Sequence, residues 1–145
     1  AVSDDVYETI MSNAGPTAVE FFHGYTYSGS VPAAAACCAA MDIYEREGLF
    51  ENAARMSEPF REMVHSMKEF DVVTDIRSIG LLAGIDLATD GKPGKRGYDV
   101  MKALYANGML IKLTGDCALL SPPLICEEKH IDEMGDILRK TLKSI

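Results

Sequence analysis

Residues 71–89 read DVVTDIRSIGLLAGIDLAT. Val, Ile, Leu and Thr dominate on both sides of Gly80, so 71–79 and 81–89 are expected to be two β-strands joined or kinked at that glycine. Gly84, inside the second, implies a bulge or a close backbone approach, because a strand glycine has no side chain to pack. On either side the period changes. Residues 49–69 place Phe50, Ala53, Ala54, Phe60, Val64 and Met67 at roughly helical spacing. YDVMKALYANG (98–108) reads as a helix ending at Asn107-Gly108, MLIKL (109–113) as a strand, and CALLSPP (117–123) as a strand stopped by two prolines. From about 127 to 144, Ile131, Met134, Leu138 and Leu142 form one apolar stripe of a last helix. The order αββαββα predicts a small α+β sandwich, a mainly antiparallel sheet with helices on one face.

The first 48 residues read differently. SDDVYETIM (3–11) suits a short helix with Ser3 and two aspartates at its start, followed by a Gly15-Pro16 break. A longer helix is expected over 31–47. Pro32 sits in its first turn, Ala33 to Ala40 are nearly all small, and Gly48 can close the end in the left-handed conformation. So narrow a face lets another backbone approach closely, and the 145 residues supply no body to do so. Between the two helices lies FFHGYTYSG (21–29), with four aromatics, a histidine, two hydroxyls and two glycines. Hydroxyls and unbonded N–H groups just before a helix N-terminus make an anion site, and Thr26, Ser28 and Ser30 supply the hydroxyls while Gly24 and Gly29 let the chain turn. Capping and packing is the competing reading of the same residues.

Composition narrows the function classes. With 48% hydrophobic and 25% charged residues the chain has the make-up of a globular protein, and a domain of this size buries roughly 68–70% of its unfolded surface. Net charge is −8, and the first 60 residues hold nine acids against Arg46 and Arg55, which leaves no cationic face for nucleic acid. GKPGKR (91–96) is expected to be a solvated loop. Cys37, Cys38, Cys117 and Cys126 contain no CxxC and are expected to be small buried hydrophobes in a reducing cytoplasm. No apolar run of membrane-spanning length and no charged-then-apolar leader occurs, so neither a spanning nor a secreted chain is expected. Ser28 and Ser121 lie in no GxSxG elbow, and His23, His65 and His130 have no metal-ligand spacing. His65 and His130 are expected at helix surfaces, and His23 in a structural hydrogen bond.

HGYTYSG with the alanine-rich helix after it, DIYEREGLFENA, DIRSIGLLAGIDL and LIKLTGDCALLSPPLI resemble, in that order, the C-terminal portion of class III pyridoxal phosphate aminotransferases, most closely the omega-amino acid:pyruvate branch. The resemblance covers essentially the whole chain. It implies an α/β architecture, the C-terminal segment of a fold type I enzyme, in which 1–45 would be the tail of the large cofactor domain with a linking helix and 46–145 the small domain. It further implies a homodimer whose subunits share active sites, acting on amines and oxo acids, with Tyr25 and Thr26 reaching the cofactor phosphate of the other subunit. Three departures accompany it. Ser28-Gly29-Ser30-Val31-Pro32 stands where the family usually reads SGHP. Lys112 stands where several members have an arginine for the substrate carboxylate, and a lysine cannot form the bidentate fork. The lysine that carries the cofactor belongs upstream of Ala1, and the first lysine here is Lys68, so the chain by itself is expected to be inactive.

Overall fold

The computed structural model describes residues 2–12 and 24–145. Two compact units divide the chain, Ala1–Asp42 and Ile43–Ile145.

The first unit is built on two helices, α1 (Asp4–Ser12) and most of α2 (Val31–Arg46). Asp4 and Asp5 occupy the first turn of α1, where the helix dipole favours negative charge. Neither helix buries a single residue. Alanine's high intrinsic propensity suits α2 to a helix, and its small-residue face is exposed. Cys37 and Cys38 are therefore exposed, against the expectation that all four cysteines are buried; Cys126 is buried and Cys117 half-buried, and all four are free thiols.

In the second unit, α3 (Leu49–Ser66) runs into a short 3-10 turn (Met67–Glu69), followed by β1 (Val73–Ile79), β2 (Leu82–Leu87), α4 (Lys95–Ala106), β3 (Lys112–Thr114), β4 (Cys117–Leu120) and α5 (Glu128–Leu142). The αββαββα order is observed. The four strands form one sheet, β1-β2-β4-β3, with every pairing antiparallel. Ala83, Ile85, Leu87, Ala118 and Leu120 face the helices and meet Phe60, Val64 and Met67, Val100 and Leu104 of α4, and Ile131, Leu138 and Leu142 of α5. That is the core.

Gly48 follows the end of α2 in the left-handed region, with φ 59°, and is the residue before α3. Pro59 lies inside α3, where it has no N–H for the Arg55 carbonyl. Of the two phenylalanines read at helical spacing, Phe60 is fully buried but Phe50 is 55% exposed, its ring edge-on to Tyr44 with centroids 5.5 Å apart. Leu49 and Met63 take the inward places instead. The reason is phase: the buried stripe of α3 runs 49, 60, 63, 64, and position 50 lies one residue off it.

The bulge sits in β1, not at Gly84. The register shifts between Val73 and Asp75, which turns Val73 to the helix side together with Ile76, while Asp75 and Arg77 turn to the open side. Gly84 pairs regularly with Arg77 and Leu119. A Cβ there would stand 3.3 Å from Cys117 Sγ and 3.5 Å from Arg77 Nη2, so the close approach is by side chains of the flanking strands.

Two further boundaries move. Helix α4 begins at Lys95, so the last two of the six residues of GKPGKR are helical rather than loop, and Lys95 bonds Asp90 at 2.8 Å and Asp99 at 3.3 Å. Strand β3 begins at Lys112 rather than 109, because Met109 belongs to the helix exit: its N–H donates to the Leu104 carbonyl at 2.9 Å and its side chain is buried.

Candidate functional site

Tyr25 and Thr26 lie together in the turn that precedes α2. Ser28 N–H donates to the Tyr25 carbonyl at 3.1 Å and Ser30 N–H to that of Tyr27 at 3.2 Å, while Gly29 takes φ 78°. Ser30 then starts the helix, its carbonyl accepting the Ala34 N–H at 3.0 Å. Tyr25 is 72% and Tyr27 83% exposed, and Thr26 and Ser28 are exposed too. Thr26, Ser28 and Ser30 thus place three aliphatic hydroxyls within the five residues before a sixteen-residue helix, a sequence suited to an anionic group. Phe21, Phe22 and His23 lie outside the described residues.

Lys112 belongs to the other unit. It opens the edge strand β3, in one row across the sheet with Leu119, Gly84 and Arg77. Paired residues of an antiparallel sheet share a face, so both cations stand on the side that the helices leave open. They differ in state. Arg77 is paired with two carboxylates: Nη1 donates to Asp75 at 2.7 Å and to Asp86 at 2.6 Å, and Nη2 to Asp86 at 3.0 Å. Lys112 is exposed, and no hydrogen bond or ion pair engages its ammonium among the described residues. Lys112 also lines an apolar groove of about 880 Å³ between the sheet edge and α5, with Met101, Met109, Met134 and His130.

The Arg77 hydrogen bonds hold the Asp86 carboxyl down at about 2, against an ordinary 3.8. A depressed carboxylate stabilises the fold above its unfolded-state value and loses that contribution as pH falls through the folded one. Asp86→Asn is accordingly expected to flatten the acid arm of the stability curve between about pH 4 and pH 2, read as urea midpoints at each pH. An unchanged slope would remove the assignment. Burial, with Asp86 beside it, pushes the Cys117 thiol up to about 11, which keeps it a neutral thiol near pH 7.

The hairpin carrying Lys112 is tied down at its tip. A two-residue turn, Gly115-Asp116, joins β3 to β4, with Gly115 at φ 60° as the first central residue of a type II′ turn requires. Asp116 faces the start of α4. Its Oδ1 accepts the Gly97 N–H at 2.9 Å, and its Oδ2 accepts the Gly94 N–H at 3.0 Å and the Thr89 hydroxyl at 3.1 Å. The two backbone N–H bonds hold its carboxyl below the usual carboxylate range. The N-cap residue of α4, Gly94, has no side chain, and the cap is supplied instead by Asp116, 19 residues downstream of Gly97, where no local reading of the α4 segment could find it.

The two described histidines, both exposed, hold structure. His130 Nδ1 accepts the Glu127 N–H at 3.0 Å in the capping box of α5, and His65 Nε2 lies 3.1 Å from Ser78 Oγ. No group of His, Cys, Asp and Glu able to hold a metal occurs among the described residues, and no described helix is long and apolar enough to cross a membrane.

The family model for aminotransferase class-III matches residues 2–142. An omega-aminotransferase of Caulobacter vibrioides is 38% identical over all of this chain and 33% of its own length, and a beta-alanine–pyruvate aminotransferase of Pseudomonas aeruginosa is 34% identical over 99% and 32%. Among solved structures, the adenosylmethionine-8-amino-7-oxononanoate aminotransferase of Methanocaldococcus jannaschii superposes with TM-score 0.78 at 29% identity, covering 99% of this chain and 34% of that one. A transaminase solved with L-alanine gives 0.77 at 28%, covering 85% and 31%. The chain thus spans about a third of the length of the relatives it matches, and its architecture is that of a fold type I segment. Its family members depend on pyridoxal phosphate, and the chain belongs to the class III aminotransferases.

Proposed function

We propose that this chain is the C-terminal part of an enzyme that moves an amino group between an amine or omega-amino acid and an oxo acid such as pyruvate, and that the 145 residues alone do not catalyse the transfer. The observation that carries the proposal is a family match over nearly the whole chain that covers only a third of each relative, in a sequence with no lysine before Lys68. Lys68 itself is engaged, its Nζ donating to the Thr74 carbonyl at 2.7 Å.

The residues present fit one end of the cofactor and not the other. The hydroxyls of Thr26, Ser28 and Ser30 at the start of α2 suit a phosphate, and the exposure of the turn suits a group presented to a second subunit of a homodimer. The aldehyde end needs an amine, and none of the lysines here, the first being Lys68, stands where the family carries the cofactor lysine. When bound, pyridoxal phosphate supplies the electron sink for the transfer. This chain's share is to hold the phosphate through Tyr25 and Thr26 and to hold a substrate carboxylate at Lys112, whose unpaired ammonium is the open cation of that sheet face. In the full protein 1–45 would complete the cofactor domain and 46–145 would be the small domain, in the cytoplasm.

The test has two arms. The 145-residue chain, supplied with pyridoxal phosphate, beta-alanine and pyruvate, is expected to form no alanine above a protein-free control. The full reading frame is expected to form it, and Thr26→Ala there should weaken cofactor retention roughly tenfold, the loss of one charge-assisted hydrogen bond. Turnover by the 145 residues sinks the proposal; unchanged cofactor retention sinks the phosphate assignment. If the reading frame begins at Ala1, the second reading applies: a stand-alone dimerising or anion-binding module of the same fold, favoured by the uncovered face of α2.

A further inference from the structure

Lys112 opens the shortest strand of the sheet. Strand β3 is an edge strand of three residues, bonded on one side only, to β4. A long, unpaired ammonium on such a strand points where the strand points, and the strand's own ladder is too short to set that direction firmly. What holds it is the tip. Asp116 joins three segments through one carboxylate: the loop after β2 through Thr89, the first turn of α4 through Gly94 and Gly97, and the β3–β4 turn to which it belongs. Its backbone carbonyl also accepts the Leu87 N–H at 2.9 Å. Gly97 closes the contact from the helix side, for a methyl there would overlap the Gly115 carbonyl oxygen and come within 2.9 Å of Leu113 Cδ1. Leu113 is the neighbour of Lys112 in β3.

We infer that Asp116 is a positioning residue: by pinning the hairpin tip to α4 it sets where the Lys112 ammonium stands, and so governs carboxylate recognition without touching the substrate. The inference rests on the reading of Lys112 as the carboxylate-binding residue. Asparagine at 116 keeps the shape but replaces one acceptor oxygen with an NH2 that faces a backbone N–H or the Thr89 hydroxyl, which loosens the tip without removing it. Thr89→Val loosens it from another side and leaves both amide bonds in place.

The experiment uses the full-length enzyme, with pyruvate as the probe oxo acid. Lys112→Ala is expected to raise the pyruvate KM roughly tenfold, as loss of a charged contact does. Asp116→Asn should raise it about fivefold and Thr89→Val about twofold, with kcat and cofactor retention within about twofold of the parent. In the Lys112→Ala background, Asp116→Asn should add nothing further, since the group it aims is gone. A pyruvate KM unmoved by Lys112→Ala overturns the reading of Lys112. A KM moved by Lys112→Ala but untouched by Asp116→Asn and Thr89→Val, or an Asp116→Asn effect that persists without Lys112, overturns the positioning role while leaving Lys112 in place.

Discussion

Gly97→Ala is expected to destabilise the second unit by about 3 kcal/mol, the upper part of the range for overpacking a tight contact. The added methyl would overlap a backbone oxygen, that of Gly115, and the Gly115 carbonyl carbon lies within 3.1 Å of it. A backbone atom in a two-residue turn cannot swing aside as a side chain can. The helix start would have to lift from the hairpin, and both Asp116 amide bonds would lengthen with it. Gly135→Ala in α5 is the matched comparison. Its methyl would meet Met63 Cγ at 2.9 Å, the middle of a flexible thioether chain, and should cost about 1 kcal/mol. Urea midpoints of the two variants decide the matter, and equal losses would show that the Gly97 contact is not rigid.

Phe60→Ala should cost about 3–5 kcal/mol, because the ring is wholly buried and its removal leaves a cavity among Val64, Met67 and the sheet. Phe50→Ala, ten residues earlier on the same helix, should cost under about 1 kcal/mol, since that ring is 55% exposed and gives up mainly its edge contact with Tyr44. Both variants should shift the urea midpoint with the slope unchanged. Similar losses at the two positions would contradict the burial assigned to α3.

These pairs mark where sequence reading works and where it stops. The stripe of α5 was legible because Ile131, Leu138 and Leu142 repeat at helical spacing and all end buried. Gly48 and Asn107-Gly108 were legible as helix ends because a left-handed glycine is a local requirement, met at φ 59° and φ 93°. Phe50 misled because a ring adjacent to the buried stripe satisfies an approximate period. The start of α4 misled because its cap, Asp116, arrives through tertiary structure, and the N-cap residue, Gly94, has no side chain to announce it. Cys37 and Cys38 misled because small residues on a helix imply a close neighbour without supplying one. In the candidate site, Tyr25, Thr26 and Lys112 came from the resemblance together with hydroxyl and charge chemistry; Asp116 lay inside the quoted GD motif, but only the three hydrogen bonds to its carboxylate disclose what it does.

The strand order β1-β2-β4-β3 also bears on how quickly the second unit assembles. Two of its three ladders are hairpins between chain neighbours, β1 with β2 and β3 with β4, and such hairpins form in about 1–10 μs. The ladder between β2 and β4 is the one that joins residues far apart in sequence, Ala83 with Leu120 at its widest. The search for that register, with α4 as the spacer between the hairpins, is the slow event. Asp116 bonds the start of α4 to the β3–β4 hairpin, so the contact that holds the tip in the finished molecule would also help to hold that register once it is found.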